Sequence, residues 1–134
     1  GNAHADSLDL TPVLGAARML DGAVRHGGAR NSPPAEHGLN ERIAHDTKGA
    51  LAARGPTSLR YEVHNRDRSV GTRLAGAIGQ LYGDKGLPAG TITINLRGSA
   101  GQSFGAFNAP GVELRLLGDA NDYVGKGMAG GLIT

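Results

Sequence analysis

The chain has 134 residues, 23 of them glycine, with 39% apolar and only 4% aromatic side chains and no tryptophan. That length fits one domain with a core of Leu, Val, Ile and Ala, and it excludes a large multi-site enzyme. The formal charge is +2 and there is no cysteine, which excludes disulfides, a thiol nucleophile, cysteine-bound zinc and cysteine-held iron–sulfur clusters within these residues.

The first 35 residues read as an irregular arm. "SLDLTPVLG" is a short apolar stretch suited to docking on a larger surface, and "DGAVRHGGARNSPPAE" reads as linker. A helix is expected from Glu36, with Leu39, Ile43, Ala50 and Leu51 near one face, weakened by Gly49 and stopped by Gly55-Pro56. "SLRYEVH" alternates as a strand, with Leu59, Tyr61 and Val63 on one side. A second helix follows in "GTRLAGAIGQLYG", with Leu74, Ile78 and Leu81 as its stripe and Gly83 as its C-terminal cap. From Thr91 the pattern becomes short strands between glycine turns: "TITINL", "VELRLL" and the beginning of another in "GLIT".

The second half repeats itself. "LRGSAGQSFGAF" (96–107) aligns with "LLGDANDYVGKG" (116–127), placing Gly98 on Gly118, Ala100 on Ala120, Phe104 on Val124 and Gly105 on Gly125. "RDRSVG" (66–71) matches the same turn more weakly, with Val70 at the place of Val124. Helix-free repeats of this length predict a solenoid. The expected fold is therefore mainly β: coils of a right-handed parallel β-helix, flanked by one or two short helices and the irregular arm. The expected domains are 1–57, arm and linker with one helix, and 58–134, a partial β-helix. Its structural turn residues would be Gly71, Gly98, Gly101, Gly105, Gly118, Asn121, Asp122, Gly125 and Gly127, the Asn and Asp forming turn hydrogen bonds or ladders between coils.

Other patterns carry less. Gly125-Lys126-Gly127-Met128-Ala129-Gly130 is a literal G-x-G-x-x-G, yet "MAGGLIT" follows it instead of the helix a dinucleotide site needs. Lys126 suits a phosphate on turn N–H groups, or simply solvent. Asp119, Asn121 and Asp122 lack the nonapeptide repeat that builds calcium sites in solenoids. Among His4, His26, His37, His45 and His64, only His37 and His45 are spaced to share a helix face, and a surface role is simpler than zinc. Ser99 and Ser103 in "GSAGQS" form no nucleophile elbow. Arg60, Arg66, Arg68 and Arg73 make a candidate phosphate or nucleic-acid patch, but pairing with Glu62 and Asp67 is simpler, and no aromatics interleave for base stacking. No catalytic, cofactor or metal residue is expected, no nucleic-acid or membrane partner, and a cytoplasmic setting.

The strings "NRDRSVGTRLAGAI", "YGDKGLPAGTITINLRGSAGQSFGAF" and "APGVELRLLGDANDYVGKGMAGG" closely resemble the C-terminal GXGXG domain of the glutamate synthase large subunit. "LDLTPVL" and "EHGLNERI" look like the segment preceding it. The resemblance implies a β-helix scaffold without catalytic residues, packed against an amidotransferase domain and an FMN barrel with an iron–sulfur cluster. FMN and cluster would thus lie in other domains, and the remaining domains or subunits would be the partners. The strand at Leu132-Ile133 looks unfinished beside the family's longer solenoid, so a fragment is expected, its open end capped by a partner or a homo-oligomer. The alternative is a stand-alone subunit similar to those of archaeal glutamate synthase, N-methylglutamate synthase or formylmethanofuran dehydrogenase.

Overall fold

The computed structural model describes Ser7–Gly15 and Gly38–Thr134. The chain divides into two compact units, 1–33 and 34–134. In the first, the described residues hold one helical turn, α1 (Thr11–Leu14), which has Pro12 in its first turn. The Asp9 carboxylate accepts the Thr11 N–H at 2.8 Å, satisfying a donor that a helix start leaves free. Leu8, Leu10, Val13 and Leu14 are all exposed.

The second unit runs α2 (Leu39–Asp46), α3 (Lys48–Ala53), β1 (Thr57–Val63), α4 (Thr72–Tyr82), a 3-10 turn (Gly83–Lys85), β2 (Ile92–Ala100), β3 (Val112–Ala120) and β4 (Leu132–Ile133). The single helix expected across 36–55 is broken at Thr47. This buried residue turns its hydroxyl back onto the Ile43 carbonyl at 2.7 Å, a competing bond that disturbs a helix. α3 ends where Arg54 turns left-handed, just before Gly55-Pro56. In α4, Leu74 and Ile78 are buried but Leu81 is 60% exposed. Tyr82, four residues after Ile78, takes the contact instead: its hydroxyl donates to the Leu51 carbonyl and the Arg54 guanidinium lies 4.5 Å over its ring.

All four strands form one parallel sheet in the order β1-β2-β3-β4. Leu59, Ile94 and Leu114 share one row, and Tyr61, Leu96 and Leu116 the next. Period-2 alternation puts these rows on the inner face, where a single apolar cluster joins Tyr61, Ile94, Leu96, Leu114 and Leu116 to Ile43, Leu51, Leu74 and Ile78 of the helices. The opposite face carries Arg60, Asn95 and Arg115 in one row and Glu62, Arg97 and Leu117 in the next.

The mainly β, β-helix expectation is corrected by this architecture. The described residues form one open four-stranded sheet with several helices, a mixed α/β arrangement. The physical reason lies in the connections. β1 and β2 pair 35 residues apart because the 11-residue α4 sits between them, making a β-α-β crossover. The β2–β3 step is a helix-free repeat of 20 and the β3–β4 step a helix-free one of 19.

Candidate functional site

Where β1, β2 and β3 end, the chain enters three turns that lie against one another. The Gly101 N–H donates to the Asp67 carbonyl at 3.0 Å, Ser69 to Gln102 at 2.9 Å and Gly105 to Val70 at 2.9 Å. One layer further, Asn121 donates to Ala100 at 3.1 Å, Ser103 to Asp122 at 2.8 Å, Gly125 to Phe104 at 2.8 Å and Phe107 to Lys126 at 2.8 Å. The ladder of the sheet thus continues into the loops, so backbone groups that loops usually leave to water are paired. Val70 and Phe104 fill equivalent places in successive turns and are fully buried, while Val124, their counterpart in the last turn, is half exposed.

Several glycines are required by close approach to backbone oxygens. A Cβ on Gly98 would lie 2.2 Å from the Val63 carbonyl oxygen, and one on Gly118 would lie 1.9 Å from the Gly98 carbonyl oxygen. Gly101 is similarly close to the Asn65 carbonyl oxygen, at 2.5 Å. Gly71, Gly105, Gly125 and Gly127 sit in the left-handed region at φ 94, 66, 65 and 64°. The Asn121 amide donates to the Asn65 side chain across the turns. Asp122 contributes its backbone carbonyl to Ser103.

Sequence reasoning missed four residues of the same construction. Ser69, Ser103, Phe107 and Tyr123 are also left-handed, at φ 51, 66, 56 and 67°. Each departs from a region that costs an L-residue about 1–2 kcal/mol. Setting "SVG" (69–71), "SFGAF" (103–107) and "YVGKG" (123–127) in one register would have found them.

The remaining candidates are spent on local contacts. Lys126 Nζ lies 4.7 Å over the Tyr123 ring. Asp119 accepts the Ser99 hydroxyl at 2.9 Å. Asp67 accepts the His64 N–H at 2.8 Å and pairs with no arginine among the described residues, and Arg73 binds Glu41 at 2.9 Å. His37, and with it the possible zinc pair, lies outside the described residues, as do His4 and His26. His45 meets Asp46 at 3.1 Å, and the Tyr61 hydroxyl donates to the other Asp46 oxygen at 2.8 Å. The His45 bond first, then the Tyr61 bond, hold the Asp46 carboxyl below the usual carboxylate range. Burial, then the bond to Asp46, push the Tyr61 hydroxyl above the usual tyrosine range. Gly130 is followed by a bend and β4, with no helix. The described residues contain no group of three or more His, Cys, Asp or Glu placed to hold a metal, and no described helix is long and apolar enough to cross a membrane.

The stretch that holds these glycine turns lies inside a family match, and the chain belongs to that family: the GXGXG motif family matches residues 40–134. Among individual proteins, the sequence is similar to glutamate synthases. It is 42% identical over 131 residues to glutamate synthase [NADH] of Schizosaccharomyces pombe, covering 97% of this chain and 6% of that protein. It is 41% identical over 134 residues to the glutamate synthase [NADPH] large chain of Azospirillum brasilense, covering 100% and 9%. It is 58% identical over 133 residues to ferredoxin-dependent glutamate synthase 2, chloroplastic, of Arabidopsis thaliana, covering 98% and 8%. The chain thus spans less than a tenth of the length of these relatives.

Proposed function

We propose that this chain is a non-catalytic scaffold segment of a glutamate synthase, joining the parts of the large chain that convert glutamine and 2-oxoglutarate to glutamate. The observation that carries the reading is the turn stack, where Ser99 bonds to Asp119 and Asn121 to Asn65 across layers and the Asp67 carboxylate is spent on the His64 N–H of its own turn. The relatives support it from another side. Their names specify NADH, NADPH and ferredoxin, yet the same segment aligns with all three, so its role is one shared across electron donors. Without a cysteine the segment has no thiolate for an iron–sulfur cluster. Flavin and cluster belong, on this reading, to other parts of the larger chain in a cytoplasmic enzyme.

Light scattering tests it. The chain, mixed with the rest of the large chain produced separately, should form a stoichiometric complex and show no glutamate formation alone. Two non-interacting species, or turnover by the isolated chain, would defeat the reading.

A further inference from the structure

The chain has five aromatic residues, and three are committed internally. Phe104 is in the core, the Tyr61 hydroxyl binds Asp46 and the Tyr82 hydroxyl binds Leu51. The other two, Phe107 and Tyr123, are 60% and 61% exposed. Both also sit in the left-handed backbone region, which disfavours bulky side chains. The neighbouring turn shows what these positions otherwise hold. Ser103 stands where Tyr123 does, and Gly127 stands where Phe107 does. Aromatics left mostly exposed at strained positions recover only part of what full burial would offset within this fold, and such outliers concentrate at functional surfaces.

The two rings belong to one patch. The Lys126 carbonyl accepts the Phe107 N–H at 2.8 Å and its ammonium lies 4.7 Å over the Tyr123 ring. The Phe107 ring covers Gly127, where a Cβ would come within 2.9 Å of it. Exposed Met128 follows in the same turn. Aromatic and methionine side chains are the types enriched in interface cores, where a few anchors carry most of the binding energy.

From this we infer that Phe107, Tyr123 and Lys126 form the contact by which the segment docks on the remainder of the larger glutamate synthase chain. The partner surface is an apolar hollow with a carboxylate at its rim facing Lys126. More than nine-tenths of each relative lies outside the matched segment, and that polypeptide is the committed occupant. The inference rests on the scaffold reading and adds the surface it uses.

The test compares the wild-type chain with F107G/Y123S and with K126E, each titrated calorimetrically into the separately produced remainder of the large chain. Melting temperature serves as the fold control: F107G relieves a left-handed phenylalanine and Y123S leaves a left-handed residue of the kind Ser103 already is, so the double variant should melt close to wild type. The double variant should bind at least ten times more weakly and K126E several times more weakly. Radical footprinting should show Phe107, Tyr123 and Met128 protected in the wild-type complex. A wild-type complex that the double variant matches within twofold, with these side chains still reactive, would overturn the docking surface while leaving the scaffold reading intact. Absence of any wild-type complex would overturn both. Loss of self-association by the double variant, without loss of the mixed complex, would assign the patch to a second copy and overturn the inference.

Discussion

Replacing Gly118 by alanine should be among the most damaging single-methyl additions to this protein. The new Cβ would lie 1.9 Å from the Gly98 carbonyl oxygen and 2.8 Å from its carbon. Both are backbone atoms of the neighbouring strand, so no rotamer change relieves the clash, and β2 and β3 must separate locally. Overpacking of this kind costs about 1–3 kcal/mol. The backbone at φ 152° adds roughly 1–3 kcal/mol for a residue with a Cβ. Together, about 2–6 kcal/mol would be lost from a total stability of order 5–15 kcal/mol, lowering the melting temperature by at least ~10 °C for a unit of this size. Thermal and urea melts followed by circular dichroism measure it. Two controls fix the cause. G125A adds its methyl beside the flexible Met128 thioether at 3.2 Å and should lose less. G76A, in α4 with nothing within 4 Å of the added methyl, should gain about 0.5–1 kcal/mol from helix propensity. A G118A protein melting within about 2 °C of wild type, a loss well under 1 kcal/mol, would refute the account of the strand contact.

Other outcomes follow from the same packing. F104A empties a fully buried site in the middle turn and should cost about 3–5 kcal/mol, read by denaturant midpoint. N65A and N121A remove either end of one side-chain bond; each should cost about 0.5–1.5 kcal/mol, and the double variant little more than either single one, a coupling that a double-mutant cycle reads directly. Tyr61 titrates higher when folded, so the unfolded chain gives up that proton first. Its stabilisation is present below about pH 10 and lost as pH rises beyond it, and Y61F should flatten the fall in melting temperature between about pH 10 and 12. Asp46 is shifted downward, so its contribution is present above about pH 4 and lost as acid is added. D46N should therefore weaken the acid dependence, without altering the alkaline limb beyond what Y61F alters.

Much of the strand plan was legible. The alternation of Leu59, Tyr61 and Val63 marks β1, and the 20-residue match of Gly98 to Gly118 and Ala100 to Ala120 is the β2–β3 register itself. The error came from extending that step backward. β1 pairs with β2 over a longer span that contains α4, and the helix-free steps from β2 to β4 do not make a solenoid of the whole. The Leu81 stripe failed because periodicity gives a direction around a helix but not where the core stops beneath it. The left-handed serines and aromatics escaped for a different reason. Glycine announces unusual backbone in a sequence, whereas Ser69, Ser103, Phe107 and Tyr123 adopt it only because ladder bonds on either side hold them there. The glycine turns were visible in composition; what the turns expose was not.

The contact between Gly98 and Gly118 also decides which wrong structures are closed to the chain. "ITINL" and "VELRL" have the same alternation, and sliding β3 by two residues against β2 would keep every apolar side chain on the inner face. Hydrophobic patterning cannot tell that slipped sheet from the native one. The glycine pair can, because the slip sets Leu116 or Ala120 opposite Gly98, and neither side chain suits the φ of 152° by which Gly118 approaches the Gly98 carbonyl. Two absent side chains thereby act as a gauge, rejecting misaligned pairings that burial alone would accept.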